Sequence, residues 1–390
     1  MISAPRWNVA VIGGGPGGAL AALLLARAGL RVALIERSTA PRYKVCGGCL
    51  NERGLSILNE CGLGETLRSE LTASLRRIVF HSAGRNMAIA GQVGAVVNRA
   101  TFDAALVSAA VDAGAQLFAG ATATVEPIAA DATDAIAGRT IELRYANGAS
   151  GLLAAELVVV ADGLGSPSLR QLSEFDAVTA PDSRMGFGLL PRPSLVSDGY
   201  EPSTLRMVLA DDGYLGIARL ADGRFCIGAA VDAAVARQHK LHQWIADAIA
   251  RCGLPEIHGL ADVAIRGTRP LTRRPARTAG HRIFLLGDAA GYTEPITGEG
   301  MAWALAGAAA LPPLAVAACR RWRPEFAMDW QRTLRQEVYC GQYVNRFLAA
   351  VLRRPRYARP VFAAAAAFPG FAAPVVRRLN RPQSVARIAA

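Results

Sequence analysis

A chain of 390 residues exceeds the size at which one hydrophobic core usually stops growing, so we expect two domains or one domain with an insertion. Apolar residues make up 52% and charged residues 19%, which excludes a disordered chain. The net charge of +12 favours anionic partners such as phosphates and dinucleotides. Nucleic acid is not expected as a partner, because the basic residues are scattered apart from arginine clusters near the C-terminus, and no basic tract is studded with aromatic residues.

The first predicted elements form a βαβ unit: a buried strand at 7–12, a glycine-rich turn, a helix at about 16–28 and a second buried strand at 31–36. The turn fits GxGxxG, whose glycines allow a tight turn, a close approach to a pyrophosphate and a helix packed on its strand. An acid ends the second strand, where it can accept hydrogen bonds from ribose hydroxyls. The predicted dinucleotide contacts are Gly13, Gly15, Pro16, Gly18, Glu36 and Arg37.

The pattern of predicted secondary structure changes in the middle of the chain. From about 175 to 280 alternating strands with Asp-Gly turns predict an antiparallel sheet, interrupted by a helix at about 232–252. We therefore predict an α/β fold with a Rossmann-like domain of the glutathione-reductase type, an inserted antiparallel-sheet substrate domain and a helical C-terminal region. The predicted limits are 1–75, 95–172 and 280–320 for the first domain, 76–94 and 173–279 for the second, and 321–390 for the helical region.

Two further segments complete a recognisable set: "VVVADGLGSPSLR" with Asp162-Gly163, and "RIFLLGDAAGYTEPITGEGMAWAL" with Gly287-Asp288. With the first turn, they resemble the FAD-binding pattern of the aromatic hydroxylase (class A flavoprotein monooxygenase) and geranylgeranyl reductase superfamily, over residues 7 to 320. The resemblance implies that FAD is the cofactor and that Asp288 lies on its ribityl chain. It also implies that the turn and helix after Asp288 lie at the flavin pyrimidine ring, through Pro295, Gly298, Gly300 and Met301.

An arginine lies at the junction between an apolar strand and the helix predicted at 100–112. Arg99, Phe102, Asp103 and Leu106 match the superfamily pattern Arg-x-x-Phe/Leu-Asp-x-x-Leu. The resemblance implies that Arg99 reaches the FAD phosphates or adenosine, a role that suits the guanidinium fork. From the residues alone, a solvated arginine before a helix is the alternative.

The segment "PRYKVCGGCL" at 41–50 is the most specific local indication of the subfamily. Cys46-Gly47-Gly48 resembles the Cys-Gly-Gly segment of geranylgeranyl reductases, which borders the flavin and the substrate cavity. An inert buried thiol, a redox disulfide with Cys49 and half of a metal site remain alternatives. Because no second CxxC or paired histidines complete a ligand set, no metal is predicted. The expected cavity-lining residues are Cys46, Tyr214 and Pro295.

The reaction is less constrained than the cofactor. There is no second GxGxxG, so NAD(P)H binds transiently in a groove of the two domains or another protein supplies the electrons. The spacing from Asp162 to Arg170 favours a reductase, whereas "GYLGIARL" at 213–220 lacks the tryptophan and Phe-Pro of the reductase strand and disfavours a prenyl substrate. Flavin halogenase markers are absent. Tyr214 faces the substrate or packs in its sheet.

We favour an NAD(P)H-dependent monooxygenase of secondary metabolism that acts on a hydrophobic small molecule. A carbon–carbon double-bond reductase is the alternative, and a non-catalytic flavoprotein sensor or scaffold is a third. Seven dispersed cysteines and no signal peptide predict a cytoplasmic protein. The apolar run 301–319, interrupted by Pro312-Pro313, is expected to pack on the core rather than to span a membrane.

The C-terminal tail, residues 353–382, combines two arginine clusters with an apolar stretch that Pro360, Pro369 and Pro374 interrupt. Two interpretations stay open: the tail packs over the substrate entrance, or it makes a peripheral contact with an anionic membrane.

Overall fold

The computed structural model describes residues 6–82, 84–128, 138–191, 199–238, 240–294 and 298–343, together with the single positions 350 and 360. The predicted site residue Pro295 and the tail at 353–382, apart from Pro360, lie outside the described residues.

The strands, numbered in chain order, are β1 (Arg6–Ile12), β2 (Val32–Glu36), β3 (Cys49–Asn51), β4 (Leu71–Ser82), β5 (Arg85–Val97), β6 (Gln116–Ala119), β7 (Ala121–Val125), β8 (Arg139–Tyr145), β9 (Ser150–Val160), β10 (Ala177–Thr179), β11 (Met185–Leu189), β12 (Thr204–Ala210), β13 (Gly213–Arg219), β14 (Phe225–Val231), β15 (Arg266–Pro270), β16 (Arg273–Pro275), β17 (Ala279–Gly280) and β18 (Ile283–Leu285). The helices are α1 (Pro16–Arg27), α2 (Glu52–Glu60), α3 (Arg99–Asp112), α4 (Ala233–Arg237), α5 (Leu241–Arg251), α6 (Gly300–Ala310), α7 (Pro312–Arg320) and α8 (Glu325–Leu334), and α8 continues into a π-helical segment, Arg335–Tyr339.

The first sheet has the order β17-β18-β9-β1-β2-β6, with β7 and β8 attached through β9. Strands β18, β9, β1, β2 and β6 run parallel, and Ile12 aligns with both Val160 and Ile35. Parallel strands are buried on both faces, which explains the continuous apolar runs of β1, β2 and β9. The predicted Rossmann-like unit is confirmed.

Helix α6 packs against α1 and is buried along its whole length from Met301 to Ala310, as expected for an alanine-rich helix with no polar face. Among the described helices none alone is long and apolar enough to cross a bilayer; α6 and α7 together meet that test of length and composition, with a bend of 41° between them.

The second sheet has the order β15-β11-β14-β13-β12-β4-β5-β3 and is largely antiparallel, apart from the parallel pair β12 and β4. One of its faces is covered by α5, through Trp244 and Ile245, and the other carries the apolar cluster of Leu205, Met207 and Tyr214. The helix predicted at 232–252 is two helices, α4 and α5. Strands β4 and β5 form one long antiparallel hairpin, with pairing that runs from Leu71 and Val97 to Ser82 and Arg85.

The predicted α/β class with an antiparallel-sheet insertion and a helical C-terminal region is confirmed, whereas the predicted domain limits stay a prediction. Strand β3 and the first residues of β4 pair in the second sheet, although they fall in the range predicted for the first domain.

Candidate functional site

Three parallel strands of the first sheet end at the same edge. Strand β1 is followed by Gly13, β9 by Ala161 and Asp162, and β18 by Leu286 to Asp288. Hydrogen bonds from the amide of Ala161 to Ile12 and from that of Leu286 to Val160 keep the ends aligned. Polar groups beyond the carboxyl ends of parallel strands converge on one crevice, so this edge is the candidate cofactor site.

Two glycines of the GxGxxG motif are required because neighbouring backbone comes too close for a side chain. Gly13 has φ +107, and a Cβ there would collide with the carbonyl oxygen of Ala161. A Cβ at Gly18 would collide with the carbonyl oxygen of Gly13. Pro16 and Gly17 then begin α1, so the N-terminal amides of this helix face the crevice that the turn leaves free.

Glu36 is fixed at the end of β2. Its Oε2 accepts a hydrogen bond from the Gly14 amide at 2.8 Å, and its Oε1 accepts one from the Ser38 amide at 3.0 Å. Arg42 lies 3.6 Å from the same Oε1, while Arg37 is exposed. Each carboxylate oxygen can accept more than one hydrogen bond, so the predicted role toward ribose hydroxyls remains open to Glu36.

Two half-buried aspartates line the crevice. Burial raises the pKa of Asp162 and that of Asp288 to about 6. The Oδ2 of Asp162 accepts a hydrogen bond from the Ser168 amide at 2.9 Å, while its Oδ1 is buried and has no partner among the described residues. A buried carboxylate oxygen without a donor is a site where a ligand hydroxyl fits.

Arg99 is part of a buried charge cluster. Its Nε and Nη2 donate to the two carboxylate oxygens of Asp103 at 2.8 and 2.9 Å, and Lys44 Nζ lies 3.0 Å from Asp103 Oδ2. Burial disfavours the Arg99 cation, but Asp103 outweighs burial and raises its pKa. Burial likewise disfavours the Asp103 anion, but Arg99 and then Lys44 lower its pKa.

The Nε and Nη2 atoms of Arg99 are therefore both hydrogen-bonded to Asp103. The predicted contact of Arg99 with the cofactor stays a prediction. Lys44, to which no sequence motif gave a role, has its Nζ 3.5 Å from where a Cβ of Gly15 would lie. This places an ammonium beside the glycine turn. In the sequence, the only indication of this role was the position of Lys44 two residues before Cys46.

The segment 43–48 lies across a row of glycines in the second sheet. Gly188, Gly228 and Gly216 are neighbours in register on β11, β14 and β13. A Cβ at Gly188 would collide with the hydroxyl of Tyr43, and a Cβ at Gly228 would lie 2.8 Å from the Gly47 amide nitrogen. The glycines thus let this segment reach the sheet surface.

Cys46 is held between the sheet and the charge cluster. Its carbonyl accepts a hydrogen bond from the Cys226 thiol at 3.2 Å, its Sγ accepts one from the Gly48 amide at 3.4 Å, and its thiol is also a partner of Arg99. The Cys49 thiol is buried and donates to the Gly47 carbonyl at 3.3 Å. All seven cysteines lie in the described ranges and are free thiols.

The remaining predicted positions divide between the two sides of the crevice. Tyr214 is buried in the second sheet, with Arg184 stacked 5.8 Å above its ring. Gly163 follows Asp162, Gly287 precedes Asp288, and Gly298 leads into α6, which begins with Gly300 and Met301. Arg53, Arg184 and Glu294 are buried charged residues that no motif indicated, because their partners are distant in sequence.

These residues fit FAD. The glycine turn and the α1 amides provide a pyrophosphate cradle, Glu36 suits a ribose, the open Oδ1 of Asp162 and the carboxylate of Asp288 suit hydroxyl donors, and the start of α6 suits an anionic ring edge. FAD bound there would supply two-electron redox chemistry. Within the described residues, no group of three or more His, Cys, Asp or Glu side chains could hold a metal ion.

Comparison with known proteins gives one family match: the FAD binding domain family matches residues 6–329. The menaquinone reductase of Mycobacterium tuberculosis is 27% identical over 376 residues, covering 90% of this chain and 85% of that protein. A digeranylgeranylglycerophospholipid reductase of Methanoculleus marisnigri is 27% identical over 301 residues, covering 76% and 73%. The anhydrotetracycline hydroxylase OxyS of Streptomyces rimosus has the same fold, with a TM-score of 0.73 at 20% identity over 96% of this chain and 76% of that one.

Proposed function

Because the chain belongs to the FAD binding domain family, which makes it an FAD-dependent oxidoreductase, we propose that it uses a nicotinamide nucleotide to hydroxylate a hydrophobic small molecule. The proposal has two parts, the electron donor and the reaction, and each rests on its own observation.

A pair of arginines supports the donor. The Nη1 atoms of Arg269 and Arg273 lie 2.9 and 3.3 Å from where a Cβ of Gly165 would be, three residues after Asp162. In the described part of the chain neither guanidinium forms an ion pair, and the Nε of Arg273 is buried without a hydrogen-bond partner there. Like charges brought together without a counter-ion favour an anion, and the phosphates of NAD(P)H supply one beside the FAD site.

The chain's own residues would then bind and orient the reactants. Asp162 and Asp288 would accept hydrogen bonds from hydroxyls of the cofactor, and the first turn of α6 would offer amides to its ring. The apolar cluster with Leu205, Met207 and Tyr214, together with the 43–48 segment, would exclude water from a hydrophobic substrate. No side-chain nucleophile is required, because the cofactor carries the reaction.

Double-bond reduction is the second candidate, and two observations favour it. The two relatives above are reductases by name, and the Cys46-Gly47-Gly48 segment lies between the second sheet and the cofactor crevice. Oxygen separates the two reactions, since hydroxylation consumes it and reduction does not.

The experiment mixes purified protein with NADPH or NADH under argon and follows flavin bleaching. A panel of alkylphenols is then supplied under air and a menaquinone under argon. Substrate-dependent oxygen consumption with a product 16 mass units heavier supports hydroxylation. An anaerobic product that stays two mass units heavier after air has re-oxidised any quinol to the quinone supports double-bond reduction. Flavin that neither nucleotide reduces contradicts the donor proposal.

Arginine variants test the donor site directly. Arg269→Ala and Arg273→Ala are each expected to raise the NADPH concentration for half-maximal reduction by about tenfold or more, the loss expected for one charged hydrogen bond. Arg85→Ala is the matched control, because Arg85 is exposed on the β4–β5 hairpin. An equal effect in all three variants would indicate general charge steering rather than a site.

A further inference from the structure

Two carboxylates that precede α6 are buried. Glu294 is 1% exposed and Glu299 is 2% exposed. Glu299 directly precedes Gly300, the first residue of α6, and the carbonyl of Glu299 accepts a hydrogen bond from the Trp303 amide at 3.0 Å. Glu294 lies two residues after Tyr292, whose ring is 3.1 Å from where a Cβ of Gly300 would be. Two buried carboxyl groups therefore precede the start of α6: Glu299 adjoins its first residue, and Glu294 follows the tyrosine that packs on Gly300.

Negative charge at this position opposes the expected function of the helix end. The N-terminal amides of a helix act as about half a positive charge and favour an anion, such as a reduced flavin ring. A buried carboxylate next to them cancels that field more effectively than an exposed one, because the surrounding dielectric is low. The charge must be offset for the site to favour the reduced cofactor.

Glu294 forms an ion pair with a buried arginine from another element, and a second buried arginine is an electrostatic neighbour of Glu299. Arg184, just before β11, has its Nη1 3.4 Å from Glu294 Oε1, and its Nε is 2.8 Å from Asp232 Oδ1. Arg53 is the second residue of α2, and α2 packs on α6 at Gly54, where a Cβ would lie 3.5 Å from the Cβ of Ala302.

Arg53 also reaches the C-terminal helices. Its Nη2 donates to the carbonyl of Glu337 at 2.6 Å and lies 3.6 Å from Glu337 Oε2, in the π-helical segment. Burial lowers the pKa of Arg53, while Glu337 and then Glu299 oppose that shift. The guanidinium thus lies within electrostatic reach of both carboxylates.

We propose that Arg53 and Arg184 are positioning residues whose charges offset Glu299 and Glu294, so that the start of α6 stabilises the reduced form of the bound flavin. The inference rests on the proposed use of FAD and adds two residues that set the redox potential. The arginines act through the carboxylates and touch no reacting atom.

The test is the two-electron midpoint potential of bound FAD, measured by dye-coupled titration in wild type, Arg53→Met, Arg53→Lys, Glu299→Gln and the double variant Arg53→Met/Glu299→Gln. We expect Arg53→Met to weaken binding of reduced FAD at least tenfold relative to oxidised FAD, a fall of about 30 mV. Arg53→Lys should keep most of the potential, Glu299→Gln should raise it, and the double variant should return toward wild type. The same set applies to Arg184 and Glu294.

Arg139→Met is the matched control. Arg139 is as buried as Arg53, and its Nη2 also donates to a carbonyl, that of Glu126 at 2.8 Å, but it lies on β8. The Arg139→Met protein should lose thermal stability and keep the wild-type midpoint potential of its FAD.

An unchanged potential in Arg53→Met and Glu299→Gln, or an equal fall in Arg139→Met, overturns the inference. If Arg53→Met fails to retain FAD, Glu299→Gln alone decides by the sign of its shift. A wild-type protein that binds no FAD would instead contradict the proposed function.

Discussion

Arg99 and Asp103, one turn apart on α3, form a two-point ion pair in which Nε donates to Oδ1 at 2.8 Å and Nη2 donates to Oδ2 at 2.9 Å. Lys44 joins the same carboxylate from the segment that precedes Cys46. The pair therefore anchors the segment 43–48 as well as the helix, and its loss should affect both.

Asp103→Ala is expected to destabilise the protein by about 3–5 kcal/mol, because it leaves the buried Arg99 cation without its counter-ion. Asp329→Ala is the matched control: Asp329 pairs with Arg332 in an exposed pair on α8, where the expected cost is about 0–1 kcal/mol. Urea denaturation of the FAD-free proteins measures both. Equal losses would mean that the Arg99 pair is no more than a surface interaction.

The flavin content of variants at the strand ends tests the cofactor site. Glu36→Ala removes the acceptor of the Gly14 and Ser38 amides, and Asp288→Ala removes a half-buried carboxylate from the crevice, so each should purify with little or no FAD. Asp112→Ala, at the exposed end of α3, should keep wild-type flavin absorbance. Full stoichiometry in both site variants would contradict the assignment of the crevice.

The two crevice aspartates make the FAD-free protein less stable as the pH rises. Burial raises the pKa of Asp162 and Asp288 from 3.8 to about 6, so between these values the folded protein holds protons that the unfolded chain releases. The loss in the free energy of unfolding reaches roughly 3 kcal/mol per carboxyl above pH 6, and there is no loss below pH 3.8. Asp103 makes the opposite contribution: its pKa is lowered in the folded protein, so it stabilises the fold as the pH rises.

We therefore expect Asp288→Asn to be more stable than wild type at pH 7, with a difference that shrinks toward pH 4. Thermal denaturation of the FAD-free proteins at several pH values measures it, with Asp112→Asn as an exposed control. A difference independent of pH would show that Asp288 does not titrate in this window.

The contact of Tyr43 with Gly188 predicts a compensating pair of substitutions. Gly188→Ala should cost about 1–3 kcal/mol, since its Cβ would collide with the Tyr43 hydroxyl. Tyr43→Phe should cost little or stabilise, because that hydroxyl is buried without a partner among the described residues.

In the double variant, Tyr43→Phe should recover much of the loss. Denaturation midpoints of the four proteins give the coupling energy. Strict additivity of the two changes would mean that the segment 43–48 does not rest on the glycine row as described.

Local sequence patterns determined the first half of the site. The alternation of apolar runs with Gly13, Gly15 and Gly18 predicts the βαβ unit, because its strands, turn and helix lie within some 30 residues of one another. Glu36, Asp162 and Asp288 were also predicted from the sequence, since each lies at the end of a strand or within three residues after it. The family resemblance then indicated FAD, and the family match agrees.

The tertiary structure alone decided which charges meet. Arg53 and Glu337 are 284 positions apart, and Arg184 and Glu294 are 110 apart, so no periodicity links them. The glycine row is equally hidden, because Gly188, Gly216 and Gly228 become neighbours only through strand register. Local spacing fixes turns and helix ends by short-range sterics, whereas buried ion pairs form between side chains that only the packing of distant elements brings out of water together.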